Sequence, residues 1–140
     1  MRSQFHIRNC VPSDAEGILA MWRISDSTAS ITDNVDAVRA AIAAESSYVL
    51  VGEADGQIVA SIIGTFDGWR GNIYRLAVHP DYRRRGYARL LVEEMGKWFV
   101  QRGVKRVTAL VEKDHPWAMA FWKPVDYKVD QRIVRFVLNL

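Results

Sequence analysis

The sequence predicts a mixed α/β domain of the α+β class, built on a mostly antiparallel sheet. Two observations carry this. Apolar periodicity gives the element order β-α-α-β-β-β-α-β-α-β, with hairpin signals concentrated in the first half. A strand–helix–strand crossover occupies the second half, and such a crossover favours parallel pairing. A doubly wound dinucleotide fold is not predicted, because the chain has no Gly-x-Gly-x-x-Gly turn and no Gly-Lys-Ser/Thr of a P-loop.

The first strand is read from the alternation Phe5-His6-Ile7-Arg8. Pro12-Ser13-Asp14-Ala15-Glu16 opens a helix, with Ser13 as the expected N-cap and Glu16 closing a capping box. Ile18, Leu19 and Trp22 form its apolar face. A second helix is expected from near Asn34 to Glu45, with Val35, Val38 and Ile42 on one side. Residues 48–51 and 58–64 read as paired strands across the hairpin signal Asp55-Gly56. Asp67-Gly68-Trp69-Arg70-Gly71 leads into the strand Ile73-Tyr74-Arg75-Leu76-Ala77-Val78, which stops at His79-Pro80. Ala88, Leu91, Val92, Met95 and Phe99 recur at helical spacing and predict a long helix ending near Arg102-Gly103, with glycine as the residue after the cap. A strand over residues 104–111, a short helix from His115 through Trp122 and a last strand over residues 133–138 complete the order. No repeat or linker divides residues 1–140, which are read as one domain.

Composition narrows the class. Hydrophobic residues make up 49% and charged residues 25%, ordinary values for a globular protein. The first residues carry no apolar signal region, and no run approaches the roughly 20 apolar residues of a membrane span. The single cysteine, Cys10, excludes an internal disulfide and a cysteine cluster for zinc, so no metal site is expected. A cytoplasmic setting is the default for such a chain. The net charge of +3 is modest, but Arg83, Arg84, Arg85 and Arg89 lie together. That points to one local anion site rather than to a broad basic face.

Arg83-Arg84-Arg85-Gly86-Tyr87-Ala88 stands between a strand and a helix N-terminus. There the free N–H groups of the first turn and the helix dipole favour a phosphate. Gly86 lets backbone approach a ligand where a Cβ would intrude. The plainer reading is a solvated basic loop whose glycine serves a turn.

In this context the chain resembles the GNAT superfamily, the Gcn5-related N-acetyltransferases. Residues 83–88 match that family's Arg/Gln-x-x-Gly-x-Gly/Ala pyrophosphate loop, and Leu76-Ala77-Val78-His79-Pro80 matches the strand before it. Downstream, His115, Ala118, Trp122, Asp126 and Tyr127 fall in register with Asn-x-x-Ala-x-x-x-Tyr-x-x-x-Gly-Phe/Tyr. The resemblance implies a central mixed sheet with helices on both faces and a splayed parallel strand pair holding acetyl-CoA. It implies that the backbone of Leu76, Ala77 and Val78 pairs with the pantetheine arm. The loop, Arg83 and the amides of Arg84, Arg85, Gly86, Tyr87, Ala88 and Arg89, takes the pyrophosphate. His115, Ala118 and Trp122 fall at further cofactor positions.

The implied chemistry is transfer of an acetyl group from acetyl-CoA to a primary amine by direct attack on the thioester. An alkyl amine is protonated at neutral pH, so something must take its proton. The chain departs from its relatives here. Trp122 stands where many members carry a tyrosine acid, and Leu110 and Asn72 stand where others carry a glutamate base. Glu112, on the same strand face as Leu110, and His115 are the candidate catalytic groups. Their plainer readings are a solvated strand-end carboxylate and a helix cap.

In this fold the first two helices and their connection shape the acceptor side, here represented by Trp22, Arg23 and Asp26. Asp26 and Asp33 are candidates for drawing in a cationic amine, with capping or a solvated loop as the plainer reading. The expected state is a monomer or homodimer, with no membrane and no nucleic acid partner. Two other functions compete. A non-catalytic acyl-CoA sensor or pseudoenzyme is motivated by the missing acid–base residues. A nucleic-acid-binding module built on the arginines lacks the interleaved aromatic platform that single strands need.

Overall fold

The computed structural model describes residues 4–25, 29–111 and 121–140. The chain divides into two compact units, Met1–Leu110 and Val111–Leu140. The first unit holds a five-stranded sheet in the order β1-β2-β3-β4-β5: β1 His6–Asn9, β2 Ser47–Ala54, β3 Gln57–Phe66, β4 Gly71–Val78 and β5 Val107–Ala109. Neighbours run antiparallel except β4 and β5, which pair in parallel. The helices are α1 Ala15–Ile24, α2 Val35–Ala43 and α3 Tyr87–Gln101. The predicted α+β class and mixed sheet are observed.

Side chains assign the faces. Ala15, Ile18, Leu19, Met21 and Trp22 of α1 bury against Val38 of α2 and Val51 and Ala77 of the sheet, with Ile63 packed beside them. Neighbouring strand residues point to opposite faces. The next residue, Gly64, faces Met95 of α3, whose sulfur occupies the place a Cβ would take. α1 and α3 therefore cover opposite faces of the sheet.

Local chemistry explains most boundaries. Asp55 (φ 53°) and Gly56 (φ 73°) close the β2–β3 hairpin with two positive φ angles, as its tight turn requires. Asn34 caps α2, its side chain accepting from the Ala37 N–H at 2.8 Å. After α3, the Val104 N–H bonds to the Phe99 carbonyl and the Gly103 N–H to the Val100 carbonyl, each at 3.1 Å. This is a Schellman ending with Gly103 at φ 76°.

Three expectations are corrected. Ser13 does not cap α1. Pro12 starts a 3-10 turn, Pro12–Asp14, and Asp14 accepts from the Val11 N–H at 2.8 Å. The fifth strand is short, because the Val104 amide is already committed to the α3 ending. Residues 133–138 form no strand: Ile133, Val134, Phe136 and Leu138 are exposed, without a sheet partner among the described residues. Most of the helix expected from His115 lies outside the described residues. In the second unit, Phe121 and Trp122 are helical and a 3-10 turn follows at Lys123–Val125.

Candidate functional site: an open strand edge and a helix N-terminus

β5 pairs with β4 only at Gly71, Asn72 and Ile73, and the Leu110 N–H adds one bond to the Ile73 carbonyl. Beyond that point no described strand covers the outer edge of β4. A bulge lies in the same stretch: pairing with β3 jumps from Ser61↔Ala77 to Ile63↔Tyr74, so Arg75 and Leu76 together oppose Ile62. Arg75 takes φ 53°, an uncommon conformation for a side chain of its size. The side chains of Ala77 and Val78 are buried, and the backbone of this segment forms the open edge.

The His79 N–H bonds back to Val59 on β3, so the Val78 carbonyl faces the open edge. Arg83 covers it. Its Nε donates to the Val78 carbonyl at 3.1 Å and its Nη2 to the Ser25 carbonyl at 3.0 Å, tying the end of β4 to the end of α1. The turn Pro80–Tyr82 is pinned through Tyr82, whose hydroxyl donates to Asp55 at 2.6 Å.

The chain then curls into α3. Arg84 (φ 64°) and Gly86 (φ 82°) both take positive φ, an alternation that turns successive amides toward one concave side. No backbone N–H of residues 84–89 meets an acceptor among the described residues; the first helical bond runs from Leu90 to Gly86. A Cβ placed on Gly86 would meet nothing within 4 Å. The guanidinium of Arg84 is exposed without a partner among the described residues. Arg85 lies over the Tyr82 ring at 4.9 Å and Arg89 pairs with Glu93 at 3.3 Å. Open amides and the helix dipole give this turn a positive character, with exposed arginines beside it.

A second cluster sits on the α1 face of β4. Trp22 is 4% exposed, and its Nε1 donates to Ser61 Oγ at 2.9 Å. Ser61 in turn donates to the Arg75 carbonyl at 3.1 Å, fixing the bulge. Arg75 Nη2 reaches Asp33 at 2.8 Å, and the guanidinium lies 4.9 Å over the Trp22 ring. Trp22 is thus a core residue with a structural partner. Arg23 is exposed. Trp69 is surface, 73% exposed with Arg70 stacked on it at 4.1 Å. Asp26, Glu112, His115 and Ala118 lie outside the described residues. Sequence reading missed the role of Arg75; its signal is a charged residue interrupting the apolar run of β4.

The second unit places Trp122 edge-on to Tyr127, with ring centroids 4.7 Å apart. Burial pushes the Tyr127 phenol pKa up. Asp126 adopts φ 70°, the conformation of the glycine usual at that place.

The family model of the GNAT acetyltransferases matches residues 16–127. The chain belongs to the GNAT acetyltransferase family. Its reaction is N-acetyl transfer with acetyl-CoA as donor. An acetyltransferase of Yersinia pestis is 30% identical over 128 residues, 91% of each chain. One of Pectobacterium atrosepticum is 30% identical over 115 residues, 82% of each chain. Among solved structures, the PaiA N-acetyltransferase of Thermoplasma acidophilum in complex with coenzyme A has the same fold. It superposes with a TM-score of 0.83 at 16% identity, covering 91% of both chains. An aminoglycoside 6′-N-acetyltransferase of Acinetobacter baumannii reaches 0.79 at 19% identity, covering 98% of this GNAT acetyltransferase and 99% of that chain.

Proposed function

We propose that this acetyltransferase holds acetyl-CoA along the open edge of β4 and passes its acetyl group to a primary amine approaching from the α1–α2 side. The observation carrying this reading is the row of unpartnered amides at residues 84–89, opening α3 beside exposed arginines. These amides take the pyrophosphate, with Arg84, Arg85 and Arg89 around it. The backbone of Leu76, Ala77 and Val78 takes the pantetheine arm in the manner of an added strand. Arg83 supports the strand end. Ala118, Trp122 and His115 complete the cofactor contacts, and Glu112 and His115 are the candidate proton acceptors. Holding amine and thioester together supplies much of the rate. Backbone N–H groups near Ala77 and Val78 stabilise the developing oxyanion.

Among the described residues no helix is long and apolar enough to cross a membrane. The reading places the chain in the cytoplasm as a monomer or homodimer acting through residues 1–140 as one domain, without a nucleic acid partner. The test is calorimetry with CoA followed by a screen of amines with acetyl-CoA and thiol detection. CoA binding at low micromolar affinity and thiol release dependent on one amine class are expected. Failure of CoA to bind overturns the reading.

A further inference from the structure

We infer that Arg75 recognises a carboxylate on the amine acceptor, so that the acceptor class is an amino acid or a similar amine bearing an anionic group. The inference rests on the proposed acetyl-CoA site beside β4.

A mostly buried guanidinium on a sheet needs a reason, and so does its backbone. Arg75 holds φ 53° at a bulge, a conformation unfavourable by about 1–2 kcal/mol for an L side chain. Bulges near reaction sites re-aim side chains. Here the bulge turns Arg75 onto the α1 face, where the ring of Trp22 supports it and Asp33 fixes its Nη2. The Asp33 carboxylate lies within 2.8 and 3.1 Å of that one nitrogen. Nε and Nη1 of Arg75 have no acceptor among the described residues. Among the described residues no fully buried side-chain nitrogen lacks a partner, so these two nitrogens are not fully buried. The side chain is only 20% exposed. A guanidinium held in place with open donors is pre-organised for an incoming oxyanion and loses little freedom on binding.

Its place fits that use. Tyr74 pairs with Ile63, which packs on the α1 side, so the half-exposed phenol of Tyr74 lies on the same face. Both residues stand on β4 where β5 no longer covers it, one or two positions before the segment assigned to the pantetheine arm. The Asp33–Arg75 pair is close to neutral overall. Selection therefore comes from directed hydrogen bonds rather than from long-range attraction.

The experiment uses two amine pairs differing by one carboxylate: L-lysine with cadaverine, and L-ornithine with putrescine. Thiol release from acetyl-CoA is followed for the parent, Arg75→Lys and Arg75→Met, and CoA affinity is measured calorimetrically for each. The parent is expected to favour the carboxylated member of at least one pair by roughly tenfold or more in kcat/KM, the scale of a charge-assisted hydrogen bond. Arg75→Met should erase that ratio by raising KM for the carboxylated amine, with CoA affinity preserved. Arg75→Lys should restore part of it. Equal use of both members by the parent, preference for the diamines, or no turnover of either amino acid overturns the inference. So does an equal loss for both members in Arg75→Met, which marks a purely structural role. Loss of CoA binding in the parent instead overturns the underlying site, and the inference with it.

Discussion

The ring of Tyr87 lies flat on the ring of Phe5, with centroids 3.7 Å apart and planes 6° apart. Tyr87 is the first residue of α3, and Phe5 precedes β1. The stack anchors the helix N-terminus to the sheet's far edge. Gly52 of β2 makes room for it, since a Cβ there would run into the Phe5 ring. Phe5→Leu is expected to weaken CoA binding several-fold, because the amides of residues 84–89 lose part of their support. Calorimetry with CoA checks this. Unchanged affinity in a destabilised variant would show that the stack serves stability alone.

Gly86→Val should abolish CoA binding while leaving the fold intact. Gly86 sits at φ 82° with nothing near its Cβ position, so the change strains backbone by about 1–2 kcal/mol and places methyl groups in the anion cradle. Gly56→Val is the matched control. Gly56 has φ 73° and an equally open Cβ position, but lies in the β2–β3 hairpin. Both variants should melt lower by similar amounts, and only Gly86→Val should lose CoA. Parallel loss of binding in both would assign the effect to stability.

Acid should unfold the chain partly through Asp14. Its hydrogen-bonded Arg8 partner and the Val11 N–H hold its carboxyl at about 2, against 3.8 for a free side chain. A depressed folded-state pKa gives stability that is present above about pH 4 and is lost as pH falls toward 2. The contribution is on the order of 2 kcal/mol, with Asp14 only 12% exposed. Asp14→Asn should melt lower than the parent at pH 6, and the gap should narrow between pH 4 and 2. A constant gap over that window would rule out the linkage.

Fold class, hairpin and helix endings were legible because each depends on local chemistry: Asp55-Gly56 at a tight turn, Asn34 before α2, Gly103 after α3. The glycine-bearing turn into α3 was legible for the same reason, as six consecutive residues at a strand–helix junction. The Asp33–Arg75 pair was not, because it spans 42 positions and depends on a bulge that no local pattern announces. The burial of Trp22 was not fixed by sequence, because an aromatic at the end of a helix reads equally as wall or core. Only Ser61, a hydroxyl within an apolar strand, hints that the indole N–H has a partner. The last strand failed because apolar alternation signals a strand's capacity to pair and says nothing of whether a partner edge is available.

Replacement of Trp122 separates packing from proton donation. Its indole is a donor without acid strength near neutrality, and its ring packs edge-on to Tyr127 and Phe121. Trp122→Phe should change kcat less than tenfold. A general acid is worth about a hundredfold or more, so a loss of that size at unchanged CoA affinity and melting temperature would place the indole N–H in the reaction.

The remaining question is where the amine's proton goes. Asn72 on β4 and Leu110 just past β5 stand where the family resemblance leads one to expect a carboxylate, and neither can take a proton. Glu112 and His115 are the candidate bases carried by the residues that follow β5. If neither acts, the proton leaves through water, and kcat/KM rises with pH along the acceptor's own titration. For an alkyl amine that means a rise continuing toward about pH 10. We expect this route. Profiles for the parent, Glu112→Gln and His115→Asn should then coincide in shape with any one acceptor, and should shift together when an amine of lower pKa is substituted. An inflection near neutrality in the parent that vanishes in one variant, with CoA affinity intact, would identify that residue as the base and overturn the water route.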